Sequence, residues 1–382
     1  MKIALIIDIW APVIGGSQTH VRELSRKLID NYGCEIDIFT RSLIDDSGKR
    51  YGGIEEDCAG KLRIIRVGPG TKLSSFFGRV TTIFSIAINI IRTDKKKNYD
   101  LIHAHSILGG LIGKIASLFT KKPVLLTVHG SMNTDRGIKN FDYFIEKWIL
   151  TKIKYDKVIS VAKGFLKHTN VNKNIKIIPN GVTIKDFDLI RDVSKADFFK
   201  ILFVGRLHWQ KGLDTLIEAV KILKDKEGPF LKSEKVQLHL IGYGFDVLKY
   251  KKMVHNYGLD ELIIFRGKIS GAELIREYKS SHIFILPSLC EGQPVTFLEA
   301  MASKLPILTT SAADNAEIID SDSGWKILEN SPAKLADKIS KLQFLPKSTL
   351  AKIGQRGYSK LKKNHTWDVI AGKTFDIYTS LG

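Results

Sequence analysis

The chain has 382 residues, a length that suggests two or three domains, each half long enough to bury its own core. Hydrophobic content of 44% and charged content of 26% are ordinary for a globular protein, but a formal net charge of +19 is not, and it implies attraction to polyanions. There is no arginine-rich tract, zinc-ligand spacing or aromatic–basic interleaving, so nucleic acid is not the expected partner; an anionic membrane surface or a phosphate-rich substrate is favoured.

The cysteines Cys34, Cys58 and Cys290 are odd in number and far apart, which argues against a disulfide framework and for a reducing cytoplasm. Cys290 adjoins Glu291, whose carboxylate raises a thiol pKa, so it is expected to pack rather than to act as a nucleophile. The apolar start runs directly into Asp8 with no cleavage site, and the longest membrane-like stretch, residues 80–91, is too short to span a bilayer. A cytoplasmic location follows, with a peripheral position on the inner face of the cell membrane left open.

In chain order, residues 2–8 predict a buried parallel strand, followed by a loop with Gly15 and Gly16 and a helix over 19–31. The two glycines permit close approach of backbone to a ligand, and the helix start suits an anion. His20 lies near this place or is half-buried structure. Further strands are predicted at 36–40, 62–67, 100–103, 124–128, 157–161 and 175–178, with helical segments between most of them. Such alternation predicts an α/β doubly wound parallel sheet whose ligands bind beyond the carboxyl ends of the strands. That rule selects His129, directly after the strand and next to Gly130, to hydrogen-bond a sugar hydroxyl or a developing charge; His103 and His105 are secondary candidates. Residues 74–97 read either as a membrane-facing amphipathic helix or as a core helix with a solvated basic end.

Pro179-Asn180-Gly181 makes a turn. Asp186-Phe187-Asp188 has D-x-D spacing, yet it lies in a linker rather than at a strand end, so no metal site is expected. The pattern then restarts: a strand at 200–204, the loop from Gly205 to Gly212, and a helix at 213–224. Arg206 and Lys211, close to a helix start, can neutralise a diphosphate; the loop lacks Walker A spacing. Strands follow at 238–241, 283–286 and 306–309, and a terminal helix at 367–380.

After the strand at 283–286, Pro287-Ser288 breaks the run before a loop and a helix with Pro294 in its first turn. Amides near Gly292, Gln293 and Val295, aided by the helix dipole, form an anion site. Glu291 precedes it, and Glu299 lies about a turn and a half inside with its side chain tilted back, so both carboxylates reach one ligand. A nucleoside-diphosphate sugar fits: diphosphate on the amides, ribose hydroxyls on one carboxylate, sugar on the other. Glu299 alone reads equally as an acid favoured by the dipole.

Glu291 and Glu299 have the spacing of the E-x7-E signature, and the stretch resembles that of retaining glycosyltransferases of family 4. GGSQTHV, TVHG, PNGV and FVGRLHWQKGLDTLIEA resemble the family's other motifs, and the likeness extends over essentially the whole chain. It implies a GT-B architecture of two Rossmann-like domains facing a cleft: residues 1–181, joined by the helix at 366–382, on the acceptor side, and residues 182–365 binding the nucleotide sugar. It also implies that Gly15 and Gly16 lie near the donor diphosphate and the acceptor, and that Gly205, Arg206 and Lys211 meet the diphosphate. Lys268 and Ile269 belong to the region whose backbone reads the base. Glu299 holds the ribose, Glu291 with Gly292, Gln293, Pro294 and Val295 holds the donor, and His129 contacts the sugar. Two departures stand out: Gln293-Pro294 where Phe-Gly is common, with Pro removing one amide donor, and Tyr243 where an acid is common.

The implied reaction moves a hexose-type sugar from a UDP- or GDP-sugar to a glycan or lipid-linked acceptor in cell-surface polysaccharide or glycoconjugate synthesis. It proceeds with retention and without cofactor or metal. A sugar-nucleotide epimerase of the same fold, a pyridoxal-phosphate-dependent glycan phosphorylase and a non-catalytic basic polyanion-binding protein are the alternatives.

Overall fold

Short apolar runs alternating with amphipathic helices build two sheets, each belonging to one of two compact units, Met1–Gly181 with Trp367–Gly382, and Val182–Thr366. The computed structural model describes residues 1–13, 15–45, 47–72, 76–129, 141–163, 165, 169–188, 198–225, 235–289, 293–311, 318–328 and 330–382, without the side chains of residues 76, 77, 79, 141, 142 and 235.

The first unit contains β1 (Lys2–Ile6), α1 (Gly16–Tyr32), β2 (Glu35–Ile44), β3 (Arg50–Tyr51), β4 (Gly53–Asp57), β5 (Leu62–Lys72), α2 (Phe76–Lys97), β6 (Leu101–His105), α3 (Ile107–Thr120), β7 (Val124–Val128), α4 (Phe141–Lys152), β8 (Lys157–Ser160) and β9 (Ile175–Ile177). Its strands lie in the order β4-β5-β2-β1-β6-β7-β8-β9, with β3 on β2. The path leaves β1 toward β2 on one side and returns to β6 on the other, which opens a crevice at their carboxyl ends. The expectation of a wholly parallel sheet needs one correction: β3 and β4 pair antiparallel, with β2 and β5 respectively. The chain turns back after β2, where the Asp45 amide donates to the Lys49 carbonyl at 3.0 Å, and β4 is exposed throughout, so no apolar alternation announces it.

The second unit contains β10 (Phe198–Val204), α5 (Leu213–Asp225), β11 (Lys235–Ile241), α6 (Val247–Asn256), β12 (Ile263–Gly267), α7 (Gly271–Lys279), β13 (Ile283–Leu286), α8 (Val295–Ala302), β14 (Ile307–Thr310), β15 (Gly324–Ile327), α9 (Pro332–Gln343) and α10 (Lys347–Asn364). Its sheet is parallel, in the order β12-β11-β10-β13-β14-β15, and the order reverses between β10 and β13. All four side chains of β13 are fully buried, each worth about 1.5–3 kcal/mol of burial. The chain returns to the first unit as α11 (Trp367–Thr379).

In the first unit, strand alternation divides the core. Ile3 and Leu5 of β1 join the buried faces of α1 and α11, while Ala4 and Ile6 join those of α2, α3 and α4. Residues 76–97 form α2, in which Ile86, Ala87 and Ile90 are core, whereas Val80, Phe84 and Ile88, spaced by four, face outward. No helix among the described residues is long and apolar enough to cross a membrane.

Candidate active site

Glycines fix the backbone of the second unit where its sheet reverses order. The Gly205 amide donates to the Ile241 carbonyl at 3.0 Å, Leu207 to Tyr243 at 3.1 Å, and Gly242 to Gly267 at 2.8 Å. A Cβ on Gly242 would collide with the Gly205 carbonyl, so this crossing demands glycine. On the other side Gly212, at φ 69°, presses against the Pro287 carbonyl where a Cβ has no room, and the Leu289 amide donates to Gln210 at 2.8 Å. The loops after β10, β11 and β13 are thereby locked together.

On that frame Arg206 is exposed and Lys211 half-buried, the Lys211 Cε lying 3.8 Å from where a Gly205 Cβ would stand. Across the reversal, α8 begins at Val295, and Pro294 is its N-cap at φ −66°, ψ 126° rather than a first-turn residue, because the extended ψ places it just outside the helix. No described side chain caps α8, although the Phe297 amide donates back to the Pro294 carbonyl at 3.1 Å. Gln293 precedes this cap, half-buried. Lys268 and Ile269 follow β12 at the far edge of the same end of the sheet, Lys268 exposed and Ile269 packed partly on the core. Cys290, Glu291 and Gly292 lie outside the described residues, so of the predicted carboxylate pair the structure describes Glu299 alone, on α8, the helix that follows the loop locked onto Gln210 and Gly212.

Glu299 Oε2 accepts a 2.7 Å hydrogen bond from the Tyr278 hydroxyl. Burial raises the Glu299 pKa above the ordinary carboxylate value, and the Tyr278 bond works against that rise. Tyr278 is itself fully buried, and burial with the adjacent Glu299 charge pushes its phenol well up, so it stays a donor. Sequence reasoning missed Tyr278 altogether. It sits on α7, more than twenty residues from Glu299 in a stretch with no motif, and only the pairing of α7 with α8 reveals it.

The predicted residues of the first unit meet at its own reversal point. Gly15 is the extended N-cap of α1 and Gly16 its first residue, with no side chain capping the helix. One turn on, His20 is buried, and its Nδ1–H donates to Asn180 Oδ1 at 2.9 Å. His105 ends β6, followed by Ser106 at φ 74°, a strained value for a residue with a side chain. His129 follows β7, half-buried, with its Nε2 2.9 Å from His105 Nδ1 and its ring centroid 4.7 Å from that of His20. Its neighbour Gly130 lies outside the described residues. Burial lowers the His20 pKa to about 4, against the Asn180 bond; burial and then His20 lower that of His103 to about 3; His105 and His129 are held well below the ordinary value, again chiefly by burial. All four imidazoles are therefore neutral at pH near 7. Asp186 and Asp188 flank buried Phe187 in a single 3-10 turn and lie on the surface, away from any strand end.

Two largely parallel sheets, each with a glycine-containing loop at an order reversal, define the GT-B class of glycosyltransferase fold. Sucrose-phosphate synthase from Thermosynechococcus elongatus shares it, with a TM-score of 0.83 at 24% identity over 100% of this chain and 98% of that one. The family model described as Glycosyltransferase Family 4 matches residues 14–186, and that described as Glycosyl transferases group 1 matches residues 186–360. The chain belongs to glycosyltransferase family 4 and is a transferase enzyme. An uncharacterised glycosyltransferase of Methanocaldococcus jannaschii is 29% identical over 96% of this chain and 95% of its own length. Alpha-monoglucosyldiacylglycerol synthase of Streptococcus pneumoniae is 28% identical over 81% of this chain and 70% of its own length.

Proposed function

We propose that this enzyme transfers a hexose-type sugar, with retention and without a metal, from a UDP- or GDP-sugar bound by the second unit to a glycan or lipid-linked acceptor met by the first. The observation that carries the reading is the locking, at the β10–β13 reversal, of the Arg206 and Lys211 loop onto the loop after β13 that leads into α8, the helix bearing Glu299. Cations and helix-start amides placed where a diphosphate leaves stabilise its growing charge without the reorganisation that water requires. Glu299, with one oxygen held by Tyr278, takes the ribose hydroxyls. Glu291 and His129 take the sugar, with Gly15 and Gly16 lending their helix start to the phosphate and acceptor. No side chain is assigned as a nucleophile; the departing phosphate accepts the acceptor's proton.

The acceptor side is read from the outer layer of the first unit. Phe84 and Ile88 of α2, Phe119 of α3, and Phe144 and Trp148 of α4 are all exposed, Phe119 by 69% and Trp148 by 55%. Lys95, Lys96, Lys121, Lys147 and Lys152 are exposed on or beside the same three helices. Aromatic and aliphatic side chains within a lysine-bearing layer suit an anionic bilayer surface. The pneumococcal relative is named for making a glucosylated diacylglycerol, which supports a lipid acceptor for this chain. The test is transfer from a panel of UDP- and GDP-sugars to lipid extracts and free glycans in the presence of a chelator, with the anomeric configuration of the product read by NMR. A new glycoside of the donor's own configuration is expected. An isomerised nucleotide sugar with no glycoside would identify an epimerase instead, and an inverted product would overturn retention.

A further inference from the structure

Four histidines gather at the reversal point of the first sheet, and the transfer chemistry uses only one of them. His103 is fully engaged by its own unit, Nδ1 facing the Tyr378 hydroxyl at 2.6 Å and Nε2 the Thr127 hydroxyl at 2.8 Å. His20, His105 and His129 instead turn nitrogens toward one another: one ring nitrogen of each lies within 4.8 Å of the other two. His105 Nδ1 and His129 Nε2, at 2.9 Å, share a single proton, and His105 Nε2 is buried with no partner among the described residues. The arrangement leaves imidazole nitrogens under-satisfied in whichever tautomer the pair adopts.

We propose that His20, His105 and His129 form a binding site for a borderline-soft divalent cation of the Zn2+ class, with three imidazole ligands and a fourth position open to water or a ligand oxygen. A tetrahedral ion with Zn–N bonds of about 2.0–2.1 Å spaces its nitrogens roughly 3.3 Å apart. The 2.9 Å pair therefore opens slightly, and the His20 nitrogen closes in from no more than 4.8 Å. The chemistry of the donor set is nitrogen only, which suits Zn2+, Co2+ or Ni2+ and not the oxygen-seeking Mg2+ or Ca2+. Asn180 supplies the outer support found around metal-binding histidines: by accepting from Nδ1–H of His20 it fixes the tautomer that leaves the Nε2 lone pair free to ligate. His129, half-buried, leaves the fourth position reachable.

The site stands on the geometry of the first unit and does not depend on the donor assignment. Its occupancy takes up the His129 nitrogen, so a bound ion would compete with the sugar contact instead of serving the transfer.

The test is titration of the chelator-stripped full chain with Co2+, read by the visible absorption of tetrahedral cobalt, followed by displacement with Zn2+. One equivalent of Co2+ is expected to give the band, and Zn2+ to bleach it. His129→Gln and His105→Gln should each abolish it, and Asn180→Ala should weaken binding roughly 10- to 100-fold. His255→Gln, at an exposed histidine of the second unit, should leave the band unchanged. His129 lies on a strand-end loop, so its variant is decisive if the buried His105 variant does not keep its circular dichroism spectrum. Absence of the band from the native chain, or its persistence at unchanged affinity in His129→Gln, would overturn the site. Because the readout is metal absorption, a wrong donor assignment cannot mimic either result.

Discussion

Tyr278 donates its hydroxyl hydrogen to Glu299 at 2.7 Å, joining α7 to α8 at the carboxylate assigned to the ribose. Removing the hydroxyl in Tyr278→Phe leaves Glu299 buried without the group that favours its charged form, so its already raised pKa rises further. A ribose hydroxyl needs the carboxylate, so nucleotide binding is lost as pH falls through that pKa, and in the variant the loss begins at higher pH. A hydrogen bond to a charged group is worth roughly 1.5–3 kcal/mol, which corresponds to a loss of about tenfold or more in affinity near neutral pH. Calorimetric titration with nucleotide across pH checks both effects; identical profiles for the two proteins would remove Tyr278 from the site. The unliganded fold responds oppositely. A folded carboxyl with a raised pKa holds its proton more tightly than the unfolded chain does, so stability declines as pH rises from the ordinary carboxylate value through the raised one.

Gly205 and Gly242 separate fold from function. A Cβ on Gly205 would meet the Phe203 ring at 3.4 Å, an ordinary contact, whereas on Gly242, at φ 140°, it would strike backbone. Gly205→Ala is expected to unfold in urea within about 1 kcal/mol of the native chain yet to bind nucleotide more weakly. Gly242→Ala should lose more than about 3 kcal/mol. Equal stabilities for the two variants would contradict the backbone crossing described here.

Glu277 supports the α7 helix that carries Tyr278. It accepts from Lys200 Nζ at 2.7 Å and from Arg266 at 3.1 Å, with His239 Nδ1 3.6 Å away. Burial would raise its pKa, but the His239 and Lys200 interactions outweigh it and bring the carboxyl to about 2. A depressed carboxyl pKa means stability that is present above the unfolded value and lost as pH falls from about 4.5 toward about 2. Its full size is about 3 kcal/mol. Glu277→Gln should lose stability by this order at pH near 6 and show a flatter decline on acidification, measured by urea melts. An unchanged slope would show that the group does not carry the acid sensitivity.

The alternation of strand and helix made both sheets legible, because a parallel strand buried on two faces is a continuous apolar run such as Ile283 to Leu286. What escaped was what such runs cannot encode. The β4 strand is polar and wholly exposed, held only by backbone pairing with β5, and β15 is a short edge whose glycine and lysine dilute its pattern. The glycine loops after β1 and β10 could be located because close backbone approach restricts residue type. Tyr278 and Asn180 could not, since a residue that orients another leaves no local trace. The meeting of His20, His105 and His129 is likewise a product of topology: α1, β6 and β7 converge only once β1 and β6 lie side by side.

The exposed aromatic layer of α2 and α4 should govern membrane attachment. Replacing Phe84 and Trp148 together by Ser removes two large exposed side chains without opening the core, so the melting temperature should hold within a few degrees. Sedimentation with vesicles rich in anionic lipid should fall severalfold, and with it transfer to a lipid acceptor but not to a soluble one. Undiminished sedimentation of the double variant would assign attachment to another surface.

The central claim, that the second unit holds the nucleotide sugar at the β10–β13 reversal, is tested most directly by thermal-shift binding of UDP, GDP and their sugars in chelator. The native chain would be compared with Arg206→Ala and Glu299→Ala. A selective rise in melting temperature for one base series, lost in both variants, is the predicted result, since a ligand that binds only the folded state raises its stability by mass action. No rise with any nucleotide, or the same rise in all three proteins, would contradict it.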